Sequence, residues 1–189
     1  MPASTLPPTE TSPIESPKRG PADITALLGA FCFFLSAIEY MVPKPLPFMR
    51  LGIANLPILL AADLLPLPWY IALALVKVFG MSLISGSLFS YVALFSLTGT
   101  LTAALVMWVA RRTLGRLVSA VGVSILGAVA SNAAQMGPSV LVYGVAAVRL
   151  MAPPFLATGL VTGALLGVFA ELFVKESRWY ARARGEADE

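Results

Sequence analysis

Stretches of about twenty consecutive, mostly apolar residues recur between Ile24 and Val174, and nothing else in the chain limits its fold as severely. A helix needs about 20 such residues to cross roughly 30 Å of hydrocarbon, with every backbone N–H and C=O bonded inside the segment. Only 12% of the residues are charged and the mean hydropathy is +0.83, whereas a soluble domain carries about 25% charge. No water-soluble core absorbs that much apolar surface. The pattern predicts an all-α, polytopic membrane protein with about six transmembrane helices: 24–42, 46–65, 69–89, 91–110, 117–134 and 154–174. The fifth span either runs on past Gly137-Pro138 to Tyr143 or hands over to a separate interfacial piece across 140–150.

The segments outside these spans are short. Residues 1–22 carry six prolines with Ser, Thr and Glu and no apolar periodicity, a composition that buries too little surface to offset ordering entropy. They are expected to form a disordered cytoplasmic tail. The basic pair Lys18-Arg19 precedes an apolar run too long for a cleaved leader, so span one reads as a signal-anchor helix. The membrane domain then covers 23–175, and residues 176–189 form a charged cytoplasmic C-terminal tail, a frayed helix end. Lysine and arginine set the orientation. Lys18, Arg19, Arg111, Arg112, Arg116, Lys175, Arg178, Arg182 and Arg184 fall on one side, and Lys44, Arg50 and Arg149 on the other. The richer side is the cytoplasm, which places both termini inside a multi-pass protein of the cell's inner membrane. The net charge of +3 is therefore a topology signal and implies no nucleic-acid partner.

Ionisable residues inside spans are costly and mark a function or a pairing. Glu39, Arg50, Asp63, Lys77 and Glu171 form that group. Glu171 lies near the end of span six and reaches headgroup water. Glu39 is close enough to the following loop to pair with Lys44 or Arg50. Lys77 sits deep in span three, where it either pairs with Asp63 across the short turn or serves a ligand. Asn132 and Gln135, three apart on span five, share a face; they make interhelical hydrogen bonds or line a cavity. The segment PFMRLGIANLP, 47–57, puts Arg50, Gly52, Asn55 and Pro57 at the head of span two. Irregular, polar backbone at membrane depth is tolerated only where it lines a cavity or is buried in protein.

Other chemistry is absent from the sequence. There is no histidine and a single cysteine, Cys32, which reads as a small buried hydrophobe. No DDxxD pair, GxxxxGK[ST] loop, HExxH or nucleophile elbow occurs. An autonomous enzyme is not expected, nor a bound cofactor.

Three stretches, PFMRLGIANLP, KVFGMSLISGSLFS (77–90) and VGVSILGAVASNAAQ (121–135), keep the order and spacing of one bacterial membrane family. Through them the chain resembles heptaprenyl diphosphate synthase component I, also described as the Gx transporter family, over roughly residues 24–172. That family commonly has lysine at the position of Arg50, often arginine at Lys77 and often histidine at Ser131. It is in turn similar to the substrate-binding S components of energy-coupling-factor (ECF) transporters, small six-helix proteins that work with a membrane coupling subunit and two ATPases. An AxxxA pattern on their first helix meets the coupling subunit, and Ala26 and Ala30 match it in spacing and place. The resemblance thus implies an S-component-like bundle that binds a small-molecule substrate through Glu39, Arg50, Asn55, Lys77, Asn132 and Gln135. Arg50 would anchor an anionic or carbonyl group and the amides would orient it. The alternative is a non-catalytic membrane subunit of a prenyl diphosphate synthase in quinone biosynthesis.

Overall fold

The computed structural model describes residues 20–42 and 52–184; the side chain of Arg116 is excepted. Among these residues all regular structure is helical. Helix α1, Pro21–Met41, begins with Pro21 in its first turn, where the missing N–H costs nothing, and the Asp23 carboxylate accepts from the Gly20 N–H at 3.0 Å. A single 3-10 turn, Ile53–Asn55, leads into α2, Leu56–Ala61. Helix α3, Leu67–Ile84, starts after the extended Pro66, and α4, Tyr91–Leu114, is capped by the Ser90 hydroxyl, which accepts from the Val92 N–H. Helix α5, Ala120–Glu176, is followed by α6, Arg178–Arg184.

A straight helix of 57 residues would be roughly 85 Å long. α5 instead breaks at Gly144, at φ 80 and ψ 162, a conformation that only glycine adopts without strain. The arms 120–143 and 145–176 fold back on one another. A Cβ at Gly159 would strike the Asn132 side chain, one at Gly163 would touch Ala128 and Ile125, and one at Gly167 would lie 2.4 Å from Val121 Cα. As the numbers rise on one arm they fall on the other, so the arms are antiparallel. The GxxxGxxxG stripe of Gly159, Gly163 and Gly167 is what lets them touch backbone to backbone. Because the obstacle at Gly167 is main chain, Gly167→Ala is expected to destabilise the hairpin by about 1–3 kcal/mol. Thermal unfolding of the purified protein in detergent measures this, and an unshifted midpoint would show that the arms are not held at this point.

Four helices, α1, α3, α4 and α5, are long and apolar enough to cross a membrane. Split at Gly144 they make five long rods. The sixth member differs from the expected span 46–65. In its described part it is only the 3-10 turn and α2, and six residues rise about 9 Å, too little to cross. The reason is local. Gly52 sits at φ 80, which blocks helical continuation toward its N-terminus. Pro57 occupies the first turn of α2, where proline starts a helix rather than loosening it. The turn residues 62–65 and extended Pro66 then close it. Every residue of α2 is buried, and the helix packs against α1, α3, α4 and α5 as the central post of the bundle.

Asp63 marks one end of the bundle. Its carboxylate lies 3.6 Å from Arg111 Nε at the end of α4, an ion pair longer than a hydrogen bond. It also accepts from the Tyr180 hydroxyl at 3.4 Å, and that hydroxyl reaches the Leu60 carbonyl at 3.3 Å. Burial, aided by the Asp63 charge, pushes the Tyr180 phenol well above its ordinary pKa, so it stays a neutral donor. Residues 178–184 of the expected charged tail are thus a short helix docked on the bundle by one buried tyrosine. The expected Asp63–Lys77 pairing does not form, because ten residues of α3 raise Lys77 above this end by about 15 Å.

Candidate functional site

Lys77 lies about halfway along α3, and Thr100 is similarly placed on α4, so the two meet near the middle of the bundle. The Lys77 ammonium donates to Asn55 Oδ1 and, at 3.3 Å, to Thr100 Oγ1. Asn55 is in position because the 3-10 turn ends there, at the head of α2. That turn is held by α1. The Glu39 carboxylate accepts from the Gly52 N–H through Oε1 and from the Ala54 N–H through Oε2, both at 3.2 Å. These N–H groups belong to the turn's first residues, which have no partner within it, and the carboxylate also faces the positive end of the α2 dipole. Glu39 and Lys77 are 3% and 6% exposed, so the lysine does not snorkel to an interface. Cys32, fully buried, directs its thiol toward the Ala54 carbonyl at 3.8 Å, in keeping with a packing role.

The first arm of α5 supplies the opposite wall. Gln135 Nε2 donates to Ser131 Oγ at 3.1 Å and to the Ser131 carbonyl at 3.2 Å. Gly99 makes room for this amide: a Cβ there would stand 2.5 Å from Nε2. Asn132 Nδ2 donates to the Phe155 carbonyl at 2.6 Å, tying the two arms of the hairpin together. Asn132 therefore meets the expectation of an interhelical bond while also lining the cavity.

Ser36, Glu39, Gly52, Asn55, Lys77, Ser96, Thr100, Ser131, Asn132, Gln135, Gly159 and Thr162 surround one polar cavity. It leaves about 30 Å³ for the centres of water-sized groups, where one water needs roughly 10–15 Å³. A larger ligand requires the helices to move apart. Five of the six substrate residues expected from sequence, Glu39, Asn55, Lys77, Asn132 and Gln135, line this one space. Arg50, the sixth, lies outside the described residues, as does Lys44. Ala26 and Ala30 are exposed on the side of α1 that faces away from the bundle. Among the described residues no three His, Cys, Asp or Glu side chains come together as a metal site would require.

A family model described as heptaprenyl diphosphate synthase component I matches residues 28–173. The chain belongs to this family. No curated protein and no solved structure matches it significantly. The matched part of this component I protein contains every residue of the cavity wall.

Four further lining residues, Ser36, Ser96, Thr100 and Thr162, carry no signal in the sequence, because a lone hydroxyl in a span has no direction. Gly99 and Gly159 were detectable in principle, as glycines that admit the Gln135 and Asn132 side chains. Their significance depends on knowing which helix faces them.

Proposed function

We propose that this component I protein is a non-catalytic membrane protein that holds a small solute near the midplane of the bilayer. The observation that carries the reading is the convergence of Asn55, Lys77, Thr100 and Gln135 on one buried cavity, beside a helix that begins inside the bundle. Discontinuous helices with polar groups at mid-depth are how transporters build binding sites. The basic end around Arg111, Lys175 and Arg178 faces the cytoplasm of the inner membrane, in accord with the positive-inside rule. In its transport form, the reading makes the protein an S-component-like subunit. Ala26 and Ala30 on the outward face of α1 would then meet an ECF coupling subunit driven by ATPases.

The family description favours a second reading: a membrane subunit that works with a prenyl diphosphate synthase in quinone biosynthesis, the partner subunit carrying the catalysis. It has the stronger support from the comparison, and the cavity has the stronger support from geometry. The two part on a single experiment. Tagged protein purified from its native membrane either brings down a synthase subunit, with prenyl chain length changed on deletion, or brings down a coupling subunit and ATPases. In the transport form, Asn55→Ala and Arg50→Ala lower solute uptake in cells without lowering the amount of protein in the membrane; unchanged uptake would remove the cavity from the function.

A further inference from the structure

A second cavity adjoins the first and differs from it in character. It leaves about 20 Å³, is lined by Leu56, Leu59, Met107, Leu166 and Ser124, and shares Gly52, Asn55, Ala128 and Thr162 with the polar cavity. Met107 is seven residues beyond Thr100, about 10 Å nearer the Asp63 end, so the two spaces lie one behind the other along α2.

Hydroxyls in these helices usually bond the carbonyl four residues back, as Thr98, Thr113 and Ser139 do. Ser36 and Ser96 do not. They are 0% and 2% exposed, have no hydrogen-bond partner among the described residues, and both line the polar cavity. Two unspent hydroxyls in one buried space call for a polar group from outside the chain.

Charge restricts what that group is. Glu39 and Lys77 are the charged residues among the described lining, and they are of opposite sign. Among the described residues these charges balance, so an uncharged group enters without adding a net charge at mid-depth, where burial of an uncompensated charge is severely penalised.

We propose that the two cavities form one bipartite site for a small, net-neutral amphipathic solute. A carbonyl, amide or hydroxyl head lies beside Lys77, Ser36 and Ser96, and a short apolar end points between Leu59, Met107 and Leu166. The proposal rests on the solute-binding reading above and specifies its ligand class.

The test uses the full chain in lipid nanodiscs, with thermal unfolding followed by tryptophan fluorescence. The probes are acetamide, butyramide and hexanamide, with butyrate and butylammonium as charged counterparts of the middle one. Butyramide is expected to raise the midpoint saturably and to bind at least about tenfold better than either charged form. Affinity rises about fourfold per added methylene until the apolar space is full. Leu166→Ala, at a half-buried position, moves the preferred chain length upward and leaves the amide-to-carboxylate ratio unchanged. Ser96→Ala weakens butyramide about two- to tenfold. Butyrate or butylammonium binding as well as butyramide would overturn the neutral head while solute binding stood. Affinity independent of chain length, or of Leu166, would overturn the apolar end, and wild-type affinity in Ser96→Ala would overturn the placement of the head. Saturable binding by none of the five probes would overturn this proposal, whereas the solute-binding reading falls only if Asn55→Ala also leaves uptake in cells unchanged.

Discussion

Replacing Glu39 with alanine is expected to lower stability by about 1–4 kcal/mol, chiefly from the buried Ala54 N–H left without its acceptor at about 1–3 kcal/mol, with a smaller share from the half-buried Gly52 N–H. The Gly52 and Ala54 amides are the groups concerned, each bonded to its own carboxylate oxygen. Alanine offers no acceptor, and water from the adjoining polar cavity replaces it only in part. Because Glu39 fastens the head of the 3-10 turn to α1, the loss is directed at the segment that carries Asn55. Glu39→Gln retains one acceptor oxygen and turns an NH2 toward the second amide, so it falls between wild type and Glu39→Ala. Amide hydrogen exchange resolved at residues 52–55, together with the thermal midpoint, measures both. Equal exchange in wild type and Glu39→Ala would mean that the carboxylate does not hold the turn.

The second large effect falls on binding as well as stability. Lys77→Met keeps most of the side-chain volume but leaves the buried Glu39 carboxylate without an opposite charge in the described lining, so a loss of about 3–5 kcal/mol in stability is expected beside the loss of binding. It also deprives Asn55 Oδ1 and Thr100 Oγ1 of a donor, and a neutral hydroxyl replaces that donor only in part. A ligand carbonyl at this position loses a charge-assisted hydrogen bond, a loss of roughly ten- to hundredfold in affinity. Lys77→Arg keeps the charge but presents a rigid planar fork to a space shaped for a compact ammonium, and recovers part of the binding. The measurement is solute affinity or uptake per folded molecule, beside the thermal midpoint. A collapse in stability with unchanged binding by the remaining folded protein would make Lys77 a clamp between α3, α2 and α4 and nothing more.

Much of the site was legible in the residues because polar and charged side chains are conspicuous in an apolar background. Glu39 and Lys77 stand out by the cost of a charge inside a span, Asn55 by the polar break at the head of span two, and Asn132 and Gln135 by their shared face, and all five line one cavity. Their partners were not legible. For Lys77 the chain order offers Asp63 as one of two alternatives, but the depth of each residue decides: Asp63 meets Arg111 and Tyr180 at the basic end, while Lys77 meets Asn55 and Thr100 at the centre. A chain that doubles back brings together residues at the same height, and height depends on where each helix starts.

Composition and apolar run lengths are enough to set the solvent, the all-helical class and the inventory of buried polar groups, because the cost of unsatisfied backbone in hydrocarbon leaves few alternatives. The sequence also dictated the breaks: Gly52 and Gly144 take backbone angles that other residues resist, and Pro57 and Pro66 bracket α2. Only the tertiary structure decided that span two is, in its described part, a half-length post inside the bundle, with its head fastened by Glu39. It alone showed that Gly159, Gly163 and Gly167 join the two arms of one hairpin. These outcomes depend on which backbones approach closely enough to exclude a Cβ, and that distance is a property of packed helices rather than of any stretch of chain.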